Sequence, residues 1–518
     1  MLTASDRERG SAVIPRLKMA QHSRPGSGSW PSVDERQAKP LFLGRQPFRK
    51  LVVLLDSAVL DPVDESTWSK EWLLAGLLTL EIVECLRYAD DGPPADAERH
   101  SDDIVGDWVI GWAVLGPEEQ GALMGHRSVR WSTDDKSVTD SALIGDVPHA
   151  AAADNRTDAY SGLDPAVAAE QRKSDALAAK VAETVGADLF ITERQYLYEA
   201  TWTIADGVTY CELDDALRVI GLYLRSQGSF ITSRDPTGRG THTMNRGLYY
   251  WVGTRELLPS AWRWFSACVQ HSMSPGNDSL LLLGQSVLQR VQRALQVRDE
   301  VHIALNKPQD NDTADDALSS LDVALLLLMG TVDATARVAH AVLGISGSVY
   351  SAGWQYEKKW VAKVSATAPG LGRLFQGDTD HVRALTILRL LRNSIHGEAL
   401  PALGVGVGRQ RDGTLVGLPA SQQTELLAAF AALGGEAAWG VEQRIPGRLH
   451  ADPGTLLEQL LPRVLHMLNE IMDATPVERL SNVSLQSSDL EVPPAPAGSP
   501  SDPFDEINRQ SIRWQLGL

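Results

Sequence analysis

Two hydrophobic periods divide this chain. In its first half, Lys50-Leu51-Val52-Val53-Leu54-Leu55-Asp56 is a continuous apolar run that closes on an acid. Such a run predicts a buried parallel strand with the carboxylate at its C-terminal end, where α/β sites form. From Trp68 to Tyr88, Leu and Ile recur at helical spacing and predict a helix, with Glu81 and Glu84 one turn apart. Ser174 to Ala182 reads as a capped helix. It leads through Gly186-Ala187-Asp188 into a short strand, Leu189-Phe190-Ile191-Thr192. Asp214 to Gln227 predicts an amphipathic helix that closes an α/β unit spanning 47–232.

In the second half the helical period takes over. Leu280–Leu305, Ala317–Leu343, Ser351–Ala366 and 381–397 predict four helices, and their short or polar connections predict an antiparallel bundle over 279–403. In the last of them Leu385, Leu388, Leu391 and Ile395 share an apolar face. Arg389, Arg392, Asn393 and His396 share a polar stripe, at spacings of three, four and seven. Gly404 to Gly408 and Leu415 to Leu418 flank Arg411-Asp412-Gly413 and predict a hairpin. Two packing helices, Ser421–Leu433 and Pro453–Ala474, complete a 404–475 segment.

The remaining stretches lack either period. Residues 1–46 carry eight Lys/Arg against four Asp/Glu and read as a disordered basic tail. Residues 90–165 are acidic and rich in Gly, Pro, Ser and Asp; they read as a long insertion with one ordered element, Trp108 to Leu115. Ser233 to Arg246 reads as a domain boundary, opening a linker and aromatic-rich connector over 233–278 whose Tyr and Trp are expected to pack in a core. Residues 476–518 read as mostly disordered apart from Ile512 to Leu516.

Over 518 residues the formal net charge is −18, so any nucleic-acid contact must use a local basic patch rather than the overall field. Cys85, Cys211 and Cys268 form no metal-type spacing. With no apolar run of membrane-spanning length and no signal-peptide core, a reducing cytoplasm is the expected compartment.

The polar stripe supplies the chemistry. Arginines can take phosphate oxygens bidentately, and an imidazole can move a proton near neutrality. The peptide LLRNSIHG resembles the R-N-x-x-x-H signature of the HEPN superfamily, all-helical domains many of which are metal-independent ribonucleases. The family usually spaces Arg and His by four to six residues. Here Arg392 to His396 leaves three and Arg389 to His396 leaves six. The resemblance implies that His396 transfers a proton, that Arg392 or Arg389 holds phosphate, that Asn393 orients either group, and that two copies meet across the helix. The string SDALAAKVAETVGADLFITERQYL is similar to the C-terminal half of PIN domains. That likeness implies Asp56 and Asp175 as two acids of an Mg²⁺ or Mn²⁺ centre, with Glu81, Glu84 or Asp103 as a further one. The family's T-x-D acid is here Arg194, which opposes a cation, so this centre is expected to be degenerate.

The expected fold is therefore a PIN-like α/β domain followed by a HEPN-like helical bundle. The expected function is an RNA-acting endoribonuclease, in stress response or phage defence. The alternative is a non-catalytic binding, sensor or scaffold protein built from two degenerate domains.

Overall fold

Residues Leu51–Asp56 form strand β1, buried along nearly its whole length because helices cover both faces of its sheet. Leu51, Val53 and Leu55 point into one apolar cluster and Leu54 into another, the alternation that a strand's two-residue period dictates. The computed structural model describes residues 49–57, 59, 68–89, 111–118, 127–133, 138–143, 145–236, 240–273, 278–397, 400–405, 413–490 and 502–518. Of these, 51–518 belong to one unit; the expected basic tail 1–46 lies outside the described residues.

After β1 come α1 (Lys70–Leu77), β2 (Val83–Ala89), β3 (Gly111–Glu118), β4 (Arg127–Ser132), β5 (Val138–Leu143), α2 (Val147–Ala152), α3 (Pro165–Thr184), β6 (Leu189–Ile191), α4 (Gln195–Glu199), β7 (Thr209–Cys211) and α5 (Leu213–Ser226). The seven strands make one sheet in the order β5-β4-β3-β2-β1-β6-β7. β3, β2, β1, β6 and β7 run parallel, and β4 and β5 are antiparallel additions at one edge. β1 and β6 are neighbours, so their carboxyl ends converge where the strand order reverses.

Two sequence expectations fail here. The stretch Trp68–Tyr88 is not one helix: α1 ends at Leu77, and Val83 onward is a strand, placing Glu84 beside Val52 at the end of the sheet away from Asp56. The 90–165 stretch is no mere insertion, because it supplies β3, β4 and β5 of the main sheet. Of its expected ordered element, 111–115 begins β3 and 108–110 lie outside the described residues.

The helical half comprises β8 (Ile231–Arg234), β9 (Thr241–Thr243), α6 (Arg246–Leu257), α7 (Ala261–Ser272), α8 (Asp278–Leu305), α9 (Asn311–Val342), α10 (Ala362–Thr367), α11 (Pro369–Arg373), α12 (Asp380–Gly397), β10 (Ala402–Val405), β11 (Gly413–Gly417), α13 (Gln423–Ala432), β12 (Val441–Ile445), β13 (Arg448–Ala451), α14 (Pro453–Ala474), α15 (Ser487–Leu490) and α16 (Glu506–Leu516). A short turn joins α8 to α9, and a reciprocal cap between Asp310 and Thr313 starts α9. α9 also packs on α12 and α14. It is long and apolar enough to cross a bilayer, yet 56% of its most apolar window is buried in the protein.

The expected third bundle helix is broken. A π-helical turn, Glu357–Val361, precedes the short α10, and α14 supplies the remaining long wall of the bundle. β10 and β11 pair antiparallel as the hairpin pattern requires, and β13 and β12 extend them to a four-stranded sheet. Ser233–Arg246 is no boundary loop; it holds the β8–β9 pair, which packs on α1 and α16. Tyr249, Tyr250 and Trp264 are buried, as expected of core aromatics. At the other end of the chain, residues 502–518 are folded. Phe504 meets Trp251 and Trp262, and Asn508 accepts from Thr232.

A buried ion pair joins the halves. Arg225 on α5 donates to both oxygens of Asp299 on α8, at 2.6 and 3.2 Å, and Tyr250 donates to the same carboxylate at 2.5 Å. Arg225 also donates to the Gln515 carbonyl of α16. Burial alone pushes the Asp299 carboxyl up, but the Arg225 guanidinium wins and holds it below the usual carboxylate range. Arg225→Met strands a buried carboxylate and should cost about 3–5 kcal/mol. Adding Asp299→Leu should restore most of that. Urea unfolding measures both; an unchanged midpoint for Arg225→Met would show that the pair does not hold the halves together.

Candidate functional site

Two places gather chemistry-bearing side chains. The first is the switch point of the large sheet. Asp56 ends β1, Thr192 follows β6, Arg194 precedes α4, and Asp175 lies in the middle of α3. The helix does not start at Ser174, as its sequence suggests; Asp164 caps α3 more than two turns before Asp175. The Arg194 guanidinium sits between the two acids, with Nε 2.7 Å from Asp56 Oδ2 and a terminal nitrogen 3.4 Å from Asp175 Oδ1. Thr192 donates to Asp56 at 3.0 Å and Tyr160 to Asp175 at 2.7 Å. Tyr160 holds a left-handed backbone, φ 64°, an uncommon conformation that costs energy outside glycine. The ring of Tyr88 covers the guanidinium at 5.5 Å.

Side-chain exposures of 14% for Arg194, 7% for Asp56 and 1% for Asp175 make this a buried ion cluster rather than a surface one. Burial pushes the Asp175 carboxyl up, opposed by the Tyr160 hydroxyl and the Arg194 charge. Of the further acids considered, Glu81 and Glu84 lie at the opposite end of the sheet, and Asp103 lies outside the described residues. Glu193, one position from Arg194, is exposed. These residues do not fit a divalent cation, since a fixed positive charge fills the place between the two acids brought together there among the described residues. No chemical step is routed through Mg²⁺ or Mn²⁺.

The second place is a cleft of about 600 Å³ beside α12. Arg389, Arg392 and Asn393 all line it, with Val382, Leu385 and Thr386 from the same helix. The helix presents them because Leu388 and Leu391 are fully buried on its opposite face. Asp333 comes from α9, and Gln355, Tyr356 and Glu357 come from the start of the π-helical turn. Turns of that kind occur frequently at functional sites. Burial pushes the Asp333 carboxyl up, against the pull of Arg337, Arg392 and Arg290. Four arginines therefore act on this region of an acidic chain. Arg389 is bound to Glu425 of α13 at 2.8 Å, and Arg392 donates to Asn393 Oδ1 at 3.3 Å. One turn beyond Asp333, Arg337 stacks on the exposed ring of Tyr350. His396 falls in the last turn of α12, four residues after Arg392; its side chain lies outside the described residues.

The polar stripe was legible from helical spacing; Asp333, on a different helix far from it in sequence, was not. Nor were Tyr356, Gln355 and Glu357, because the break between α9 and α10 carries no periodic signal. No protein-family model, curated protein or solved structure matches this chain.

Removing the buried cation should convert the first site. In Arg194→Ala the two acids lose their counter-charge, so Mn²⁺ should raise the melting temperature of the variant and leave the intact protein unmoved. Mn²⁺ stabilisation of the intact protein that disappears in Asp56→Asn would overturn this assignment.

Proposed function

We propose that this chain is a metal-independent endoribonuclease of the HEPN type. Its site is the α12 cleft, and its PIN-like half holds a closed, non-catalytic centre. The observation that carries the proposal is the convergence of Arg389, Arg392 and Asn393 on one open cleft bordered by Asp333 and Tyr356. Two guanidinium groups suit a phosphodiester, and Tyr356, 46% exposed, offers a ring on which a base can stack.

In this reading a ribose 2′-oxygen attacks the adjacent phosphorus as its proton passes to a base. The bond to the 5′-oxygen breaks and that oxygen takes a proton from an acid, leaving a 2′,3′-cyclic phosphate and a 5′-hydroxyl. His396 serves as base or acid, and Asp333, a cleft-lining carboxyl raised by burial, is a further group able to carry a proton. Arg392 or Arg389 stabilises the charge that builds on the phosphoryl oxygens, and Asn393 orients either partner. A second copy facing α12 is part of the proposal, as is a role in stress response or phage defence. Cys85, Cys211 and Cys268 are free thiols, which supports a reducing, cytoplasmic setting.

One observation favours the alternative of a non-catalytic RNA-binding or sensor protein: Arg389 already holds Glu425. Incubating the protein with total RNA in EDTA decides between them. Catalysis predicts cleavage products with cyclic phosphate ends. It also predicts loss of cleavage in His396→Ala and a fall of about 100–1,000-fold in Arg392→Ala, the usual effect of removing one oxyanion contact. Arg389→Ala assigns the pairing: loss points to the six-residue spacing, retention to the three-residue one. RNA bound but uncut by the intact protein would establish the non-catalytic reading, and cleavage unchanged in all three variants would remove the site from α12.

A further inference from the structure

At the opposite end of α12 from His396, three metal-ligating side chains meet without any role in the cleft. His381 stands in the first turn of α12. His466 and Glu470 stand four residues apart on α14, a spacing that puts both on one helix face. His381 Nε2 lies 2.7 Å from one Glu470 oxygen, and His466 Nε2 lies 3.2 Å from the other. The ligand atoms all fall within 4.8 Å of one another.

We propose that His381, His466 and Glu470 form a transition-metal site of the Zn²⁺ class that pins the start of α12 to α14. Zinc bonds to nitrogen and carboxylate oxygen of about 2.0–2.2 Å place tetrahedral ligand atoms roughly 3.3 Å apart. The two imidazole–carboxylate separations, 2.7 and 3.2 Å, fall a little short of that value, so small rotamer adjustments suffice to open the site to the ion. Two imidazoles and one carboxylate suit zinc or cobalt rather than magnesium or calcium, which prefer all-oxygen shells. The residues divide the labour by burial. His381, 11% exposed, is fixed within the helix packing, whereas His466 at 66% and Glu470 at 40% open the site to solvent. Water therefore completes the coordination, and the cation can enter without unfolding the bundle. Binding would replace the hydrogen bonds that the carboxylate now makes to the two imidazoles with three bonds to one centre, across helices joined by a chain 85 residues long between His381 and His466.

Co²⁺ titration of the full chain, after EDTA treatment and desalting, tests this. One equivalent of Co²⁺ should develop the intense visible bands of a four- or five-coordinate site, and Zn²⁺ should bleach them. Zn²⁺ should also raise the melting temperature of the intact protein. His466 is exposed, so His466→Ala should fold normally, yet lose both responses, with affinity down by about 100-fold or more. Removing even an outer-shell partner of a metal site costs 10–100-fold. Glu470→Gln should behave likewise, and His242→Ala should bind as the intact protein does. Weak, pale, hexaaqua-like Co²⁺ spectra in the intact protein, or identical binding in His466→Ala, would overturn the proposal.

Discussion

The bidentate pair between Arg225 and Asp299 sets the architecture on which both sites depend. Each half builds its own apolar core, the large sheet with α1, α3 and α5 on one side of the molecule and α6 to α16 on the other. Apolar packing between them is non-directional and would tolerate sliding. A buried guanidinium facing a buried carboxylate does not, because separating them leaves two unpaired charges away from water. Arg298 repeats the device one residue earlier on α8, reaching Glu458 of α14 and the Leu516 carbonyl of α16. Through these contacts α8 is fixed at once to α5, α14 and α16; α9 packs on α8, and α12 packs in turn on α9 and α14.

The same charge logic distinguishes the two candidate sites. At the sheet's switch point the one arginine lies between two buried acids, and its charge is spent on them. Such a cluster stabilises or specifies structure but leaves no open cation to meet a phosphate. Beside α12, Arg389 and Arg392 line an open cleft, and among the described residues Arg389 alone of the two has an acidic partner within bonding distance. On a chain of net charge −18 the proposed phosphate contact must be local, and Arg392 is the cleft-lining cation on which it rests.

What the sequence disclosed follows from how each element is buried. β1 and α12 were legible because both are buried along a regular period, one as a continuous apolar run and the other as a stripe. β4 and β5 were not. They are the antiparallel pair at one end of the sheet, and their exposed positions, such as Arg130, Thr139 and Asp140, dilute the apolar signal into what reads as loop. The error over 68–88 has a different cause, since Leu and Ile at three- and four-residue spacing fit a helix until Leu78–Ile82 turns the chain into β2. Arg194 was recognisable as an anomaly in its motif, but its position between Asp56 and Asp175 needed the fold. His381 lies far from His466 in sequence, and only the His-x-x-x-Glu pair on α14 gave a local hint of their meeting.

The central claim is that a phosphodiester is held at the α12 cleft and not at the sheet's switch point. Photocrosslinking of 4-thiouridine-substituted RNA to the His396→Ala protein, with the adducts mapped by mass spectrometry, measures this directly. The account predicts adducts on the segment around Tyr356 and on α12, lost when Arg392 is also replaced by Ala. Adducts confined to the ends of β1 and β6, around Asp56 and Arg194, would contradict it.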